Sequence, residues 1–285
     1  MKIPPEVNLY LRDHGFGKIS TVQAAGGGCI NNGAHLKTSS GEVLFLKTNY
    51  RTPADMFARE AEGLNALRVE HGPHVPKVLQ YAENFILLED LNPAARCADY
   101  WSRFGHQLAS LHRHTNTQFG FQNDNYIGST PQLNTWSSDG YEFFGQHRLL
   151  FQSQLANRRG LLGNAEVRQV ERLAARLPEL VPIQPASLIH GDLWSGNAIS
   201  DRHGEPAIID PAAHYGWAEA ELAMTTLFGS FPDSFYRAYQ EVRPLEANFR
   251  KRFPLYNLYH LLNHLNLFGG SYLGQVTTIL RRYGS

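Results

Sequence analysis

The sequence predicts an α+β protein with a small β-rich N-terminal lobe and a larger, mostly helical C-terminal lobe. The 285 residues suggest roughly two units at about 150 residues each. Short β-prone segments separated by turn residues dominate the first 90 residues, whereas helical periodicity dominates from Asp99 onward. The turn-forming stretch Leu91-Asn92-Pro93 lies between these regions, so we expect lobes at residues 1–91 and 92–285.

The N-terminal lobe is predicted to contain a five-stranded antiparallel sheet and one helix. Residues 19–47 hold three β-prone segments, with a hairpin turn at Ser39-Ser40-Gly41. Residues 54–68 carry apolar side chains at helical spacing and are followed by Gly72-Pro73, which ends the helix. Two more short strands are expected at residues 77–81 and 85–89.

The C-terminal lobe is predicted to be a helical array interrupted by loops. One helical face recurs at Tyr100, Phe104, Leu108 and Leu111 and ends near His112. The polar residues 115–139 read as a long loop, and such length in a compact domain suggests a function or a flexible lid. Short strands and loops are expected at residues 187–210, and helices at residues 141–157, 165–177, 219–241, 245–268 and 272–283.

Composition excludes several classes of protein. The 26 basic and 26 acidic residues give no net charge, which argues against a generally basic nucleic-acid surface. The two cysteines, Cys29 and Cys97, are too few for a disulfide framework or a four-cysteine zinc site, and they fit a reducing compartment. The sequence offers neither a signal-peptide core nor about 18 consecutive apolar residues. We therefore expect a cytoplasmic protein without a nucleic-acid or membrane partner.

The most informative stretch is His190-Gly191-Asp192-Leu193-Trp194-Ser195-Gly196-Asn197, followed thirteen residues after Asn197 by Asp210. Any one of these residues alone is better explained by a turn, but the ordered set is hard to reach by chance. Phosphoryl transfer needs this combination. Asp192 would accept the proton of an acceptor hydroxyl, while the oxygens of Asn197 and Asp210 would hold Mg²⁺ on the phosphates.

The N-terminal lobe contains further candidates for nucleotide binding. Gly26, Gly27 and Gly28 lie between two strands, where their backbone could approach a phosphate closely, although a plain turn explains them equally well. Lys47 ends the third strand, and an ordinary edge-strand lysine is the alternative. Glu60 falls on the apolar side of the following helix, where a carboxylate needs a partner. Lys47 is the candidate partner.

The order of these parts is that of the protein-kinase-like fold. The segments HGDLWSGN, DPAAHYGWAEAELAMTTLFGSFP and YNLYHLLNHLNLFGG resemble the fructosamine kinase (ketosamine-3-kinase) family over nearly the whole chain. The resemblance implies an ATP- and Mg²⁺-dependent kinase that phosphorylates O3 of ketosamines, free or on protein lysines, and thereby serves deglycation. Asp210-Pro211-Ala212 replaces the Asp-Phe-Gly of protein kinases, and no Ala-Pro-Glu segment follows, which argues against a protein-kinase substrate.

The resemblance also implies a role for each matching residue. Asp192 is expected to be the base, Asn197 and Asp210 to bind Mg²⁺, and Lys47, held by Glu60, to contact the α- and β-phosphates. Residues 24–31 would cover the phosphates, and the backbone of Glu89 and Leu91 would hydrogen-bond adenine at the hinge. His190 and Glu221 are expected to brace the catalytic loop, and the remaining histidines, including His112, to lie at helix ends or on the surface.

The acceptor side carries weaker predictions. Trp194 and His264 match segments that the family places near the acceptor, but core packing is an alternative for both. Residues 134–136 could form the rim of this pocket. The alternative functions are a kinase of an aminoglycoside, choline or homoserine on the same fold, and a catalytically silent nucleotide-binding protein.

Cys29 is a candidate redox site because the amides of a phosphate loop would also favour a thiolate. The resemblance implies a disulfide-linked dimer through this residue. An inert apolar role and an internal bridge to Cys97 are the alternatives.

Overall fold

The computed structural model describes residues 2–26 and 31–284. The first lobe is built on a sheet of five strands in the order β1-β2-β3-β5-β4, with every neighbouring pair antiparallel. These strands and the helix between β3 and β4 lie close to the segments predicted from their patterns. Their bounds are Ile19–Ala25 (β1), Asn32–Thr38 (β2), Val43–Thr48 (β3), Met56–Leu67 (α2), Val78–Ala82 (β4) and Phe85–Glu89 (β5).

Helix α1, Pro5–Asp13, precedes the sheet, so the expectation of a single helix in this lobe is wrong. Proline at its first position is favourable because no intrahelical partner is needed there. The helix has only nine residues, and just Val7 and Leu11 are buried, which leaves little periodicity to detect. Both side chains join a core formed with residues of β2, β3 and β5, so α1 covers one face of the sheet.

Alternation along β5 explains why this strand is apolar throughout. Phe85 and Leu87 belong to the core beneath α1, whereas Ile86 and Leu88 belong to the main core that includes α2. In β3 the same period of two places Leu44 and Leu46 toward α1. Lys47 therefore lies on the opposite face of the sheet, toward α2, where it can pair with Glu60.

The second lobe is mostly helical. The proposed division at Leu91 lies between the end of β5 at Glu89 and the start of α3 at Tyr100. Its helices are Tyr100–Leu111 (α3), Gly140–Phe143 (α4), Phe151–Arg158 (α5), Asn164–Ala175 (α6), Leu177–Leu180 (α7), Ala218–Met224 (α8), Asp233–Val242 (α9), Phe249–Phe268 (α10) and Leu273–Tyr283 (α11). A π-helical segment, Phe144–Leu150, joins α4 to α5, and a 3₁₀ turn, Gly270–Tyr272, precedes α11.

Short strands lie between the helices of this lobe. They are Thr115–Asn116 (β6), Asn125–Ile127 (β7), Thr130–Gln132 (β8), Ala186–Ile189 (β9), Ala198–Ser200 (β10), Pro206–Ile208 (β11) and His214–Gly216 (β12). Strands β7 and β8 form an antiparallel hairpin. The prediction of a long loop over residues 115–139 is therefore wrong. The strands escaped detection because the residues that they bury are mostly polar, so the sequence shows no alternation of apolar side chains.

Two predicted helices have different bounds. Residues 219–241 form α8 and α9, which are separated by a segment ending at Pro232, the residue that caps α9. Proline cannot continue the hydrogen-bond ladder of a preceding helix. Helix α10 begins at Phe249 rather than near residue 245, because Asn248 adopts a left-handed conformation with φ 62°.

The two lobes are joined by backbone hydrogen bonds as well as by the chain connection. After α2, the amide of His74 donates to the carbonyl of Pro206 at 2.9 Å, and the amide of Ile208 donates back to His74 at 2.9 Å. Strand β11, which leads to Asp210, is thus tied to the first lobe. Among residues 2–26 and 31–284, no helix has the length and hydropathy of a membrane span.

Candidate active site

The loop after β9 is held in a fixed shape by its own neighbours. Gly191 has φ +83°, and a Cβ atom there would lie 2.9 Å from the carbonyl carbon of Ala212 and closer still to its oxygen. Its amide donates to Glu221 Oε1 at 2.7 Å. Only glycine fits this combination of a left-handed backbone and close approach. The loop therefore presents Asp192 from a rigid base.

His190 lies at the base of the same loop. Its Nε2 donates to the carbonyl of Ile209 at 2.8 Å, while its Nδ1 accepts the amide of Asp192 at 3.2 Å. Burial lowers the pKa of His190, so the neutral ring with one donor and one acceptor is favoured. The geometry agrees with the predicted bracing role.

Asp192 is half-buried beside Asn197. The side-chain amide of Asn197 donates to the carbonyl of Asp192 at 2.8 Å and to its Oδ2 at 3.4 Å. Burial, followed by the charge of Asp210, raises the pKa of Asp192 to about 7. A carboxylate with a raised pKa is a better proton acceptor, as general-base catalysis near neutral pH requires.

Lys47 bridges the two lobes through its ammonium group. Its Nζ donates to Glu60 Oε1 at 2.6 Å and also to Asp210 Oδ1. Burial alone would lower the pKa of Lys47, but the Asp210 and Glu60 carboxylates outweigh burial and raise it. Lys47 therefore stays charged, and the pairing of strand lysine with helix glutamate is present.

Asp210 has a backbone φ of 60°, a conformation that aspartate tolerates better than most residues. Its side chain is 46% exposed, in contrast to the 9% of Lys47. One face of this carboxylate is thus open to the cleft. Because Asn197 directs its amide nitrogen toward Asp192, its oxygen lies on the opposite side of the group.

These two oxygen donors fit Mg²⁺. In the described part of the chain, no cluster of three or more histidine, cysteine, aspartate or glutamate side chains has metal-binding geometry. A metal held by Asn197 and Asp210 would therefore complete its shell with phosphate oxygens and water, which is the usual arrangement for magnesium at a nucleotide.

A cleft between the lobes runs from this cluster to the segment after β5. Its polar end is formed by Lys47, Glu60 and Asp210, and both Glu89 and Leu91 line the other end. The walls in between suit a flat aromatic base, because they are mostly apolar: Phe45, Leu64, Pro76, Leu88, Pro93, Ile199 and Ile209. The cleft thus orders a base site and a phosphate site along one line.

The glycine-rich loop is only partly described. Gly26 is exposed directly after β1, whereas Gly27, Gly28 and Cys29 lie outside the described residues. Cys97 is a free, half-buried cysteine, and burial raises the pKa of its thiol.

The acceptor candidates lie on one patch of aromatic side chains. Trp194 and His264 each contact Phe228, with ring centroids 6.1 and 4.6 Å apart, and His264 also contacts Phe268 and Tyr272. Trp194 is 36% exposed and Phe268 53% exposed, so neither is an ordinary core residue. Phe228 lies within the matching segment DPAAHYGWAEAELAMTTLFGSFP but no pattern there singled it out, and Tyr272 lies beyond the last matching segment.

Two residues make contacts that the sequence did not predict, although His112 does lie at the predicted helix end. His112 ends α3 but is fully buried, where its Nε2 donates to Glu221 Oε2 at 2.7 Å and its Nδ1 accepts from the Tyr239 hydroxyl at 2.8 Å. It therefore supports Glu221, the residue that holds Gly191. Asn134 is buried, and its Oδ1 accepts a hydrogen bond from Arg148 Nη2 at 2.8 Å. It therefore does not form a pocket rim. No local signal marked either contact.

The chain is similar to known proteins over nearly its whole length. The model of the family described as fructosamine kinase matches residues 8–284. A probable ketoamine kinase of Synechocystis is 41% identical over 270 residues, covering 93% of this chain and 90% of the relative. The chloroplastic protein-ribulosamine 3-kinase of Arabidopsis thaliana is also 41% identical, covering 93% of this chain and 83% of the relative.

Solved structures give the same result. A crystal structure of a candidate fructosamine-3-kinase from Thermobifida fusca superposes with a TM-score of 0.85 at 35% identity, covering 92% of this chain and 93% of the other. The aminoglycoside phosphotransferase APH(2'')-Ib has a TM-score of 0.64 at 14% identity, with 99% and 98% coverage, which supports the fold alone. The predicted two-lobe, protein-kinase-like fold is thus confirmed, and the chain belongs to the fructosamine kinase family.

Proposed function

We propose that this protein transfers the γ-phosphoryl group of ATP to O3 of a ketosamine, free or attached to a protein lysine. The observation that carries the proposal is the bridge from Lys47 to both Glu60 and Asp210, beside the Asp192–Asn197 pair. Phosphorylation at O3 destabilises the sugar adduct and releases the amine, so the role would be deglycation. Relatives named as ketoamine and ribulosamine kinases support this substrate class.

The nucleotide would occupy the cleft between the lobes. Its base would lie between Leu64, Leu88 and Ile209, near the backbone of Glu89 and Leu91. Lys47, charged because of its two carboxylate partners, would contact the α- and β-phosphates, and Gly26, Gly27 and Gly28 would cover them. Asn197 and Asp210 would hold Mg²⁺, which would neutralise the negative charge of the phosphates when it is bound.

Asp192 would orient the acceptor hydroxyl and take up its proton. Its raised pKa and its fixed position between His190 and Asn197 both serve this role. The aromatic patch around Trp194 and His264 would provide a flat apolar wall for the sugar and for the carbon chain of the amine. A secondary ammonium in the substrate would gain from nearby aromatic faces.

A substrate panel tests the proposal directly. Purified protein with MgATP would be assayed against a ribulosamine, a fructosamine, an aminoglycoside and choline, with a 3-deoxyketosamine as the matched control. We expect ADP formation with the ketosamines only and none with the 3-deoxy compound. Turnover of the aminoglycoside or choline in preference to a ketosamine would favour the alternative kinases.

Location and assembly form a separate part of the proposal. The small number of cysteines supports a reducing, cytoplasmic site of action. A dimer linked through Cys29 would make activity respond to oxidants. Non-reducing gels and activity after mild peroxide, for the wild type and Cys29→Ala, test this; equal inactivation of both forms would exclude Cys29 as the switch.

A further inference from the structure

Helix α2 must hold Glu60 against Lys47 if Lys47 is to contact the nucleotide phosphates as proposed. In protein kinases the corresponding helix is moved in and out by an activation loop and its phosphorylation. Here α2 contacts the second lobe through residues 123–132, which comprise β7, β8 and the two residues before them. We refer to this segment as the 123–132 hairpin.

The hairpin contacts the start of α2 through Tyr126. The hydroxyl of Tyr126 donates to Asp55 Oδ1 at 2.7 Å, and Asp55 is the residue that directly precedes α2. The other oxygen of Asp55 accepts from Arg59 Nε at 3.1 Å. The Tyr126 hydrogen bond lowers the pKa of Asp55, so this carboxylate stays charged and the contact is a charge-assisted hydrogen bond.

A second contact lies two turns further along the helix. The side-chain amide of Asn123 donates to both oxygens of Glu62, at 3.2 and 3.1 Å. Arg59 Nη1 donates to Glu62 Oε1 at 2.6 Å. Residues on both sides of Glu60 in the helix are therefore held by the second lobe.

The inner face of the same hairpin holds the segment after Asp210. The side-chain amides of Asn125 and Gln132 donate to the carbonyls of Ala213 and Ala212 at 2.9 and 3.0 Å. Gly63 of α2 packs against this segment, since a Cβ there would lie 3.3 Å from the Cβ of Ala213 and from Pro211 Cγ. All four hairpin contacts thus act on the two elements that carry Glu60 and Asp210.

We propose that the 123–132 hairpin is a built-in positioning element that locks α2 and the Asp210 segment in the catalytic arrangement. Tyr126 and Asn123 are then positioning residues for phosphoryl transfer. The proposal rests on the proposed roles of Lys47, Glu60 and Asp210. Ala212, Ala213 and His214 are buried, so the segment that would be a free activation loop in a protein kinase is part of the core.

The test compares Tyr126→Phe and Asn123→Ala with Tyr283→Phe. The control makes the same chemical change, because the half-buried Tyr283 hydroxyl donates to the carbonyl of Lys251 at 2.9 Å, within the second lobe and between α11 and α10. For each variant we would measure the affinity for a non-hydrolysable ATP analogue, the kinetic constants for MgATP and for a ketosamine, and Tm.

We expect kcat/KM for MgATP to fall roughly threefold to thirtyfold in the two hairpin variants, with a smaller effect on the ketosamine KM. The control should match the wild type. In a double-mutant cycle, adding Asp55→Asn to Tyr126→Phe should cost little more than either change alone.

Hairpin variants whose kinetics equal those of Tyr283→Phe, whatever their Tm, would overturn the proposal. Lys47→Met and Glu60→Gln separate this result from a failure of the proposed function. Normal nucleotide affinity and turnover in those two variants would refute the underlying roles, whereas their impairment together with normal Tyr126→Phe would refute the hairpin alone.

Discussion

Gly191→Ala is expected to reduce turnover far more than stability. The substitution places a methyl group 2.9 Å from the carbonyl carbon of Ala212 at a φ of +83°. The left-handed backbone costs about 1–2 kcal/mol for a residue with a Cβ. Relieving the overlap requires the loop to shift by roughly 1 Å, and a displacement of that size costs about 10²-fold in rate when it reaches the reacting groups.

The matched control is Gly160→Ala. Gly160 has a similar φ of +69°, but no atom lies within 4 Å of the position that the new methyl group would take, so only the backbone cost remains. We would measure kcat, both KM values and the free energy of unfolding for the two variants. We expect Gly191→Ala to lose somewhat more stability than Gly160→Ala, because of the overlap with Ala212, and about a 10²-fold lower kcat for Gly191→Ala alone. Equal kcat values in both variants would refute the idea that Gly191 sets the position of Asp192.

Four further predictions concern the site and its surroundings. Asp192→Asn should retain nucleotide affinity but lose about 10²–10⁴ in kcat, and a normal kcat would remove it from the role of base. Lys47→Met and Asp210→Ala should each abolish turnover, and an unchanged Mg²⁺ dependence in Asp210→Ala would mean that another residue holds the metal. Trp194→Ala and His264→Ala should raise the KM of the ketosamine more than that of ATP, whereas equal effects would indicate core packing. Burial lowers the pKa of four buried histidines (His112, His190, His214 and His260) and raises the pKa of two carboxyl groups (Glu60 and Asp192), so below pH 6.5 the unfolded chain binds more protons on balance. Urea unfolding should therefore show stability falling as the pH drops from 7.5 to 5.5, and an equal or higher stability at pH 5.5 would contradict this.

The sequence predicted best those features that depend on residues near one another in the chain. The strand pattern put Lys47 at the end of β3, and the helical period of α2 put Glu60 on its apolar side. The pairing of these two residues followed, because a charge on an apolar face needs a partner. The candidate catalytic loop was likewise recognisable, since Asp192 and Asn197 lie within one motif.

Contacts between distant segments could not be predicted in the same way. His112 and Glu221 are 109 positions apart and meet only because α3 and α8 pack on the same loop. Tyr126 and Asp55 are 71 positions apart, and the hairpin that joins them carries mostly polar side chains with no hydrophobic period. The break between α8 and α9 was missed because the apolar pattern continues across residues that are not helical.

The position of the phosphate on the product tests the proposed function most sharply. Wild-type protein would be incubated with MgATP and a fructosamine labelled with ¹³C at C3, and the product analysed by ¹³C and ³¹P NMR. We expect a single phosphate coupled to C3, absent from the reaction with Asp192→Asn. A phosphate on any other carbon, or ATP hydrolysis without a phosphorylated sugar, would contradict the proposed transfer to O3.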